Sequence, residues 1–219
     1  MDNTIILSQW YRESELYTWG YREVFCPLWR HALELCAPGI PILVCDNGGE
    51  VRQPHRGVEV VNLVNPLPHG RGTEGHYSNC WKAIRQLINI AINRNFEVGV
   101  FVGQNNLVGV PFIDAVTAGL NTADILCSTG WSTANGCHTE IMAFNLKRCA
   151  GLLKKEYAFP LEVSMTGWAG ELGLVIAECA ELYHKCNWPN LDIDTVTCGR
   201  SPLSYQVQFA ERHGLLRDE

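Results

Sequence analysis

The sequence lacks several features that would assign it to a familiar class of protein. It has no run of about 18 uninterrupted apolar residues, and therefore predicts no transmembrane helix. Its N-terminus, "MDNTIILSQWYRESE", carries an acid where a secretory signal peptide has basic residues. Basic residues are not in excess, because the net charge is -6, so no surface for gripping a nucleic-acid backbone is expected. We predict a cytoplasmic protein with no membrane span and no nucleic-acid partner.

The ten cysteines include no CxxC pair. They are scattered from Cys26 to Cys198, and several lie inside apolar periodic segments, which is typical of reduced and buried cysteines. A structural zinc site needs paired cysteine or histidine ligands at short spacing, and the adjacent Cys137 and His138 match that pattern weakly. The sequence therefore predicts neither a disulfide scaffold nor a metal site.

Two common nucleotide-binding motifs are also missing. No GxGxxG follows the first predicted strand and no GxxxxGK[ST] occurs anywhere, so neither a Rossmann dinucleotide site nor a P-loop is predicted. The glycines of "HGRGTEG" precede a predicted helix and can offer backbone N–H groups to an anion, with Arg71 adding positive charge. This signal is weak, because many surface loops have the same composition.

Short apolar runs alternate with amphipathic segments along the chain, which is the pattern of an α/β fold with a largely parallel sheet. At 219 residues and 47% hydrophobic content, the chain can bury a full core as one domain. We predict a single domain over residues 1–219, in which residues 187–219 form a C-terminal tail that packs on or over the site.

Five strands are predicted, from the segments "TIILSQW", "PILVCDNGG", "VEVVNLV", "FEVGVFVGQNNLVG" and "DILCST". A helix is predicted over 78–93, where apolar residues recur on one face, another over about 16–36 that Pro27 must bend or break, and a short one in "PFIDAVTAGL". "HTEIMAFNLKRCAGLL" reads as a strand or turn that leads into a helix. A last long helix is predicted over 167–186, and the residues expected on its buried side are Leu172, Val175, Ile176, Cys179 and Leu182 or Tyr183.

In an open parallel sheet, ligands bind beyond the carboxyl ends of the strands. The residues at these ends are Ser8-Gln9-Trp10, Asp46-Asn47-Gly48, the loop 69–76 and residues 103–106, and we expect them to line one crevice. Asp46 stands directly after "ILVC", which favours a ligand-binding role, although Asp-Asn-Gly-Gly is also an ordinary turn sequence.

The order of these segments resembles that of the nucleotide-sugar-dependent glycosyltransferases of the GT-A fold. The resemblance spans about 4–181 and is carried by "ILVCDNGG", "SNCWKAI", "FVGQNNLVG", "GCHTEIMAFN" and "GWAGELGLVIAE". It implies a three-layer fold, with a mostly parallel mixed sheet flanked by helices, and transfer of a sugar from a nucleotide-sugar donor to a glycan or other hydroxyl acceptor. It also implies that Asp46 contacts the base or ribose, and that Glu171, in the first turn of the last helix, is the general base.

One motif departs from this family. The stretch "FVGQNNLVG" puts Gly103, Gln104 and Asn105 where the family usually has the Asp-x-Asp that holds a divalent cation. Mg²⁺ and Mn²⁺ favour carboxylate oxygens, and an amide offers only a dipole, so we expect no required cofactor and at most weak binding of either ion. The charge of the leaving diphosphate must then be stabilised by basic groups or helix N-termini.

The predicted nucleotide-sugar-binding residues are therefore Ser8, Gln9, Asp46, Arg71, His76, Lys82, Gln104, Asn105 and Arg200. The predicted acceptor-binding residues are Trp131, His138 and Trp168, because a tryptophan beside glycine suits a sugar-stacking platform, although packing in the core explains these residues equally well. Glu171 has an equal alternative too, as a helix N-terminal acid stabilised by the helix dipole.

Two other classes of protein stay open. One is a catalytically silent relative that binds a nucleotide, a glycan or a protein. The other is a different α/β enzyme, either a nucleotidyltransferase or a cysteine-dependent hydrolase that uses Cys45 or Cys137 with a histidine. The hydrolase is disfavoured because no nucleophile elbow is visible, and because the side chains of adjacent residues such as Cys137 and His138 rarely meet in a catalytic pair.

Overall fold

A computed structural model describes residues 3–10, 29–30, 33–34, 36–47, 57–67, 74–103, 108, 112–128, 138–157 and 160–179. Side chains are described for all of these except residues 74–77 and 138–140. Most of the helix predicted over 16–36, the amide loop 104–106 and the tail 187–219 lie outside the described residues.

The described chain forms one seven-stranded mixed sheet in the order β3-β2-β1-β4-β6-β5-β7. Its strands are Thr4–Trp10 (β1), Ile42–Asp46 (β2), Val58–Asn62 (β3), Val98–Val102 (β4), Ile125–Ser128 (β5), His138–Asn145 (β6) and Ile176–Cys179 (β7). All pairings are parallel except those of β6, which runs antiparallel to both β4 and β5. The predicted α/β fold with a mostly parallel sheet is confirmed.

Helices cover both faces of this sheet. They are Glu74–Asn93 (α1), Phe112–Gly119 (α2), the short Leu146–Cys149 (α3) with a 3₁₀ helix over Ala150–Lys154, and Leu161–Leu172 (α4). The helix predicted over 78–93 thus begins four residues earlier than expected, at Glu74. None of the helices described is both long and apolar enough to cross a membrane.

Two hydrophobic clusters result, one on each side of the sheet. Alternate residues of β1 serve the two sides: Ile5 and Leu7 join the cluster that contains α1, α3 and α4, whereas Ile6 and Trp10 join the cluster that contains α2. Because central parallel strands are buried on both faces, their sequences are nearly continuous apolar runs, as "TIILSQW" is.

The long helix predicted over 167–186 is wrong. Helix α4 ends at Leu172, where Gly173 adopts a left-handed conformation with φ 65° and its backbone N–H bonds back to the last turn. The chain then turns, and Ile176 opens β7, which pairs parallel to β5. The apolar spacing that suggested a helix fits a short strand equally well, and the free edge of β5 decides between the two.

Candidate functional site

The crevice lies where strand β1 separates from β4. Strand β1 pairs with β2 to its end, at Trp10 and Asp46, but its pairing with β4 stops at Leu7 and Phe101. Beyond that point the hydroxyl of Ser8 donates a hydrogen bond to the carbonyl of Val102, at 2.7 Å. The chain runs outward from β1 to β3 and returns to β4 on the other side, so this is the switch point where open α/β sheets bind ligands.

Two buried amide side chains lie at this edge of the sheet. Gln9 is 7% exposed and Asn47 is 3% exposed. The Gln9 Nε2 donates to the Sγ of Cys80 at 2.8 Å, but its Oε1 has no hydrogen-bond partner in the described part of the chain. Neither the Oδ1 nor the Nδ2 of Asn47 has a partner there either. Because buried polar groups are normally paired, these three atoms indicate a place for a ligand that both donates and accepts hydrogen bonds.

The register of the sheet brings these two amides together. Gln9 aligns with Cys45 of β2, and Asn47 follows Cys45 by two residues. Side chains two apart in a strand share a face, so Gln9 lies on the α1 side of the sheet, as Leu7 does. The backbone N–H of Asn47 donates to the carbonyl of Trp10 at 2.7 Å, which extends the β1–β2 ladder by one bond. The two amides therefore lie at the same end of neighbouring strands.

Asp46 is the last residue of β2, and its side chain is buried; because neighbouring residues of a strand alternate, it faces the α2 side, as Val44 does. Burial, together with the negative charge of Asp46, raises the pKa of the neighbouring Cys45 thiol to about 12. A thiol with that pKa stays protonated at neutral pH and is a poor nucleophile. This counts against a cysteine-dependent hydrolase that uses Cys45.

Residues 62–67 follow β3 at the same edge of the sheet as the crevice, and we call them the wall segment. Its backbone continues the ladder, because Leu63 N donates to the carbonyl of Asp46 at 2.8 Å. At its other end, Asn79 of α1 binds both backbone groups of Leu67: its Oδ1 accepts from the N–H at 2.8 Å and its Nδ2 donates to the carbonyl at 2.9 Å. Asn79 is fully buried.

Two more side chains of α1 hold the wall segment. Gln86 accepts from Val64 N at 3.0 Å and donates to the carbonyl of Asn62 at 2.8 Å. The Nζ of Lys82, a predicted nucleotide-sugar-binding group, donates to the carbonyl of Asn65 at 3.3 Å. The sequence placed Asn47 at the crevice without giving it a role, and it did not indicate Asn79 or Gln86, for which a position on a helix face was the only signal.

The remaining predicted site residues divide by location. His76 lies in the first turn of α1, and His138 opens β6 opposite Ser128, which puts its backbone at the crevice edge because β6 is reversed. Five of the predicted residues lie outside the described residues: Arg71, Gln104, Asn105, Trp131 and Arg200. Within the described ranges, no three His, Cys, Asp or Glu side chains are grouped so that they can hold a metal ion.

Glu171 does not open a helix, and that part of the prediction is wrong. It lies in the last turn of α4, where its exposed carboxylate pairs with the ammonium group of Lys155. It precedes the start of β7 by five residues, and Ile176 aligns with Ile125, the first residue of β5. Glu171 therefore lies toward the edge where the parallel strands begin, which is opposite the crevice.

Trp168, a predicted acceptor-binding residue, lies within α4. Its side chain is buried, and its ring centroid is 4.7 Å from that of Trp81 on α1, with the rings tilted by 37°. The Trp81 Nε1 donates to the carbonyl of Lys155 at 2.9 Å. Trp168 thus packs in the core between two helices.

No protein-family model matches the sequence, and no curated protein matches it. Solved structures do match. A cytidylyltransferase from Leptospira borgpetersenii serovar Hardjo-bovis gives a TM-score of 0.53 at 12% identity, over 97% of this chain and 95% of that one. The bifunctional IspDF from Campylobacter jejuni gives a TM-score of 0.53 at 12% identity. That match covers 81% of this chain but only 49% of IspDF, so this chain spans about half the length of that protein. The galactosyltransferase LgtC, in complex with donor and acceptor sugar analogs, gives 0.46 at 13% identity, over 80% of this chain and 67% of that one.

At these identities, the structures with the higher scores establish the fold and nothing finer. The fold is GT-A-like, a mostly parallel mixed sheet flanked by helices, as the sequence predicted. Membership of a glycosyltransferase family stays a prediction.

Proposed function

We propose that this protein is a glycosyltransferase that binds a nucleotide-sugar donor in the crevice and moves the sugar to a hydroxyl group of a glycan or other acceptor. One observation carries the proposal: Gln9 and Asn47 bury three amide atoms that have no partner among the described residues, at the carboxyl ends of β1 and β2, where β1 and β4 separate and Asp46 ends β2. A nucleobase and its ribose offer both donors and acceptors, as these groups require. The negative charge of Asp46 disfavours a phosphate beside it, so the base and ribose occupy this end.

The transfer step requires a base and a group that stabilises negative charge. The acceptor oxygen attacks the anomeric carbon, the bond from that carbon to the diphosphate oxygen breaks, and the nucleoside diphosphate leaves with the electron pair. The hydroxyl proton passes to a base, a role that the location of Glu171 no longer supports. We propose that Lys82, with Arg71, His76 and Arg200, stabilises the diphosphate without a tightly bound metal, and that the acceptor approaches from the His138 side.

A thermal-shift screen tests donor binding. CDP, UDP, GDP, ADP and their sugar conjugates are added with and without Mn²⁺, and we expect one nucleotide family to raise Tm equally in both conditions. Asn47→Ala should reduce that rise. Asn145→Ala is the matched control, because Asn145 caps α3 by accepting from Arg148 N at 3.2 Å, at the opposite edge of the sheet. Stabilisation that requires Mn²⁺ would contradict the metal-independent proposal, and binding without transfer or hydrolysis would favour a silent relative.

Nucleotidyl transfer is the second candidate function. It is favoured by the likeness to the Leptospira cytidylyltransferase, which extends over nearly the whole of both chains. In that reaction a phosphate oxygen of the acceptor attacks the α-phosphorus of a nucleoside triphosphate, and pyrophosphate leaves. Pyrophosphate release from CTP or another triphosphate with a phosphorylated alcohol supports this candidate, whereas release of a nucleoside diphosphate from a nucleotide sugar supports glycosyl transfer.

A further inference from the structure

We propose that Asn79 and Gln86 are positioning residues of the crevice. From α1 they hold the wall segment, residues 62–67, beside Asp46, and so keep the crevice in the shape that binds the donor. The ligand in this inference rests on the proposed function, whereas the attachment of the wall segment to α1 rests on the hydrogen bonds themselves.

Burial of side chains holds only the start of the wall segment. Leu63 is buried in the core, whereas Val64 is 66% exposed and Leu67 is 41% exposed, although both are apolar. Strand β3 is at the end of the sheet order, so no strand among the described residues pairs with its outer side. Asn65 adopts a left-handed conformation with φ 52°, which asparagine tolerates better than most residues with a side chain. Beyond Leu63 the segment has little apolar burial and needs other contacts to stay in one place.

Gln86 supplies contacts like those of a missing strand. In an extended chain the carbonyl of Asn62 and the N–H of Val64 point to the same side, and the Gln86 amide engages both, as a peptide group of a neighbouring strand does. The intervening Leu63 N–H points to the other side and donates to the carbonyl of Asp46. The start of the wall segment is therefore tied to β2 on one side and to α1 on the other.

Asn79 fixes the far end of the segment. Both of its amide atoms are used, and both backbone groups of Leu67 are satisfied by them. Asn79, Lys82 and Gln86 stand at i, i+3 and i+7, so one face of α1 makes every one of these contacts. If the wall segment is already ordered before the ligand binds, binding does not carry the entropic cost of ordering it.

The test combines amide hydrogen exchange with nucleotide affinity in the full chain. Asn79→Ala should speed exchange at the Leu67 N–H, and Gln86→Ala should speed it at the Val64 N–H. Each should weaken the binding of whichever nucleoside diphosphate, CDP or UDP, the unmodified protein binds, by about three- to tenfold. Asn79→Asp keeps an acceptor for Leu67 N and should retain protection there.

Arg94→Ala is the matched control. Arg94 follows α1 and pairs with Glu59 of β3, so it also joins this helix to this strand, but away from the crevice. It should change neither the exchange of the wall segment nor the affinity. Affinities of Asn79→Ala and Gln86→Ala that equal the control would overturn the inference. If the unmodified protein binds neither nucleotide, the proposed function fails. In that case, unchanged amide exchange at Leu67 in Asn79→Ala and at Val64 in Gln86→Ala would overturn the positioning role as well. If Asn79→Ala does not fold, Gln86→Ala, which alters a half-buried side chain, decides the outcome.

Discussion

Replacing Asn47 by alanine should leave the free energy of unfolding of the ligand-free protein unchanged, or raise it by up to about 2 kcal/mol. The reason is that Asn47 is almost fully buried while neither of its amide atoms bonds to any residue that the structure describes. A buried amide without partners costs about 1–3 kcal/mol, and alanine removes that cost. The loss of van der Waals contacts offsets about 1 kcal/mol of the gain.

Asn79→Ala is the substitution with which Asn47→Ala is compared. Asn79 is also a buried asparagine, but its amide makes two hydrogen bonds, at 2.8 and 2.9 Å, to the backbone of Leu67. At about 1 kcal/mol for each bond, its replacement should lower the free energy of unfolding by about 2 kcal/mol. The two substitutions delete the same atoms and should differ by about 2–4 kcal/mol in their effect.

Urea denaturation measures both variants, with the free energy extrapolated linearly to water. For a chain of this size each 1 kcal/mol corresponds to about 2–4 °C in Tm. A nucleoside diphosphate at about 100 times its Kd should add about 2.7 kcal/mol to the unmodified protein, and less to Asn47→Ala. If Asn47→Ala loses as much stability as Asn79→Ala, then Asn47 has a structural role, and the main support for the proposed donor site is removed.

Three further predictions test the fold. The free energy of unfolding should fall as pH rises from about 9 towards 12. Burial keeps the Cys45 thiol protonated in the folded chain, whereas the thiol ionises at its ordinary pKa of 9.0 in the unfolded chain. The urea midpoint of Cys45→Ala should therefore fall less steeply with pH than that of the unmodified protein. Arg94→Ala should lower the free energy of unfolding by less than about 1 kcal/mol, and should not change it in 1 M salt, because the ion pair of Arg94 with Glu59 is largely exposed. A loss of stability that does not depend on salt would contradict this. Gly119→Ala should lower the free energy of unfolding measured in urea by about 1–3 kcal/mol, because the new Cβ would lie 2.6 Å from the side chain of Leu126 in β5. Gly167→Ala should leave it unchanged, because the new Cβ there has no atom within 4 Å. Equal effects of the two substitutions would contradict the packing of Gly119 against Leu126.

The central strands and α1 were predictable because their burial patterns are local properties of the sequence. Strands β1 and β2 are buried on both faces, so they appear as short apolar runs bounded by polar residues. Helix α1 buries one face, so its apolar residues recur at helical spacing. In both cases, packing against neighbouring elements requires apolar residues at particular positions, and a few consecutive residues are enough to show that pattern.

The end of the described chain was not predictable in this way. The run from Leu172 to Cys179 fits one face of a helix or a short strand, and the difference lies in an available partner. That partner is β5, and Val175 N bonds to the Asp124 carboxylate across 51 residues of sequence. The same error put Glu171 in a first turn when it lies in a last turn.

The candidate site was predictable in position and not in composition. The carboxyl end of β2 identified Asp46, because strand ends in parallel sheets meet at one edge. Whether Asn47 finds partners depends on the strands beside it, which its own sequence neighbours do not reveal. Asn79 and Gln86 are likewise ordinary polar residues of a helix until the path of the wall segment is known.

The hydrogen bond between Ser8 and Val102 also bears on how the chain folds as it is synthesised. It joins residues 94 apart, and β4 is the inner neighbour of β1 in the finished sheet. While the ribosome makes the intervening residues, β1 can pair with β2 but has no strand to cover its other side. Contacts this distant in sequence form slowly, and an uncovered strand edge invites pairing with other chains. The place where β1 and β4 separate thus borders the strand pairing that a nascent chain completes late.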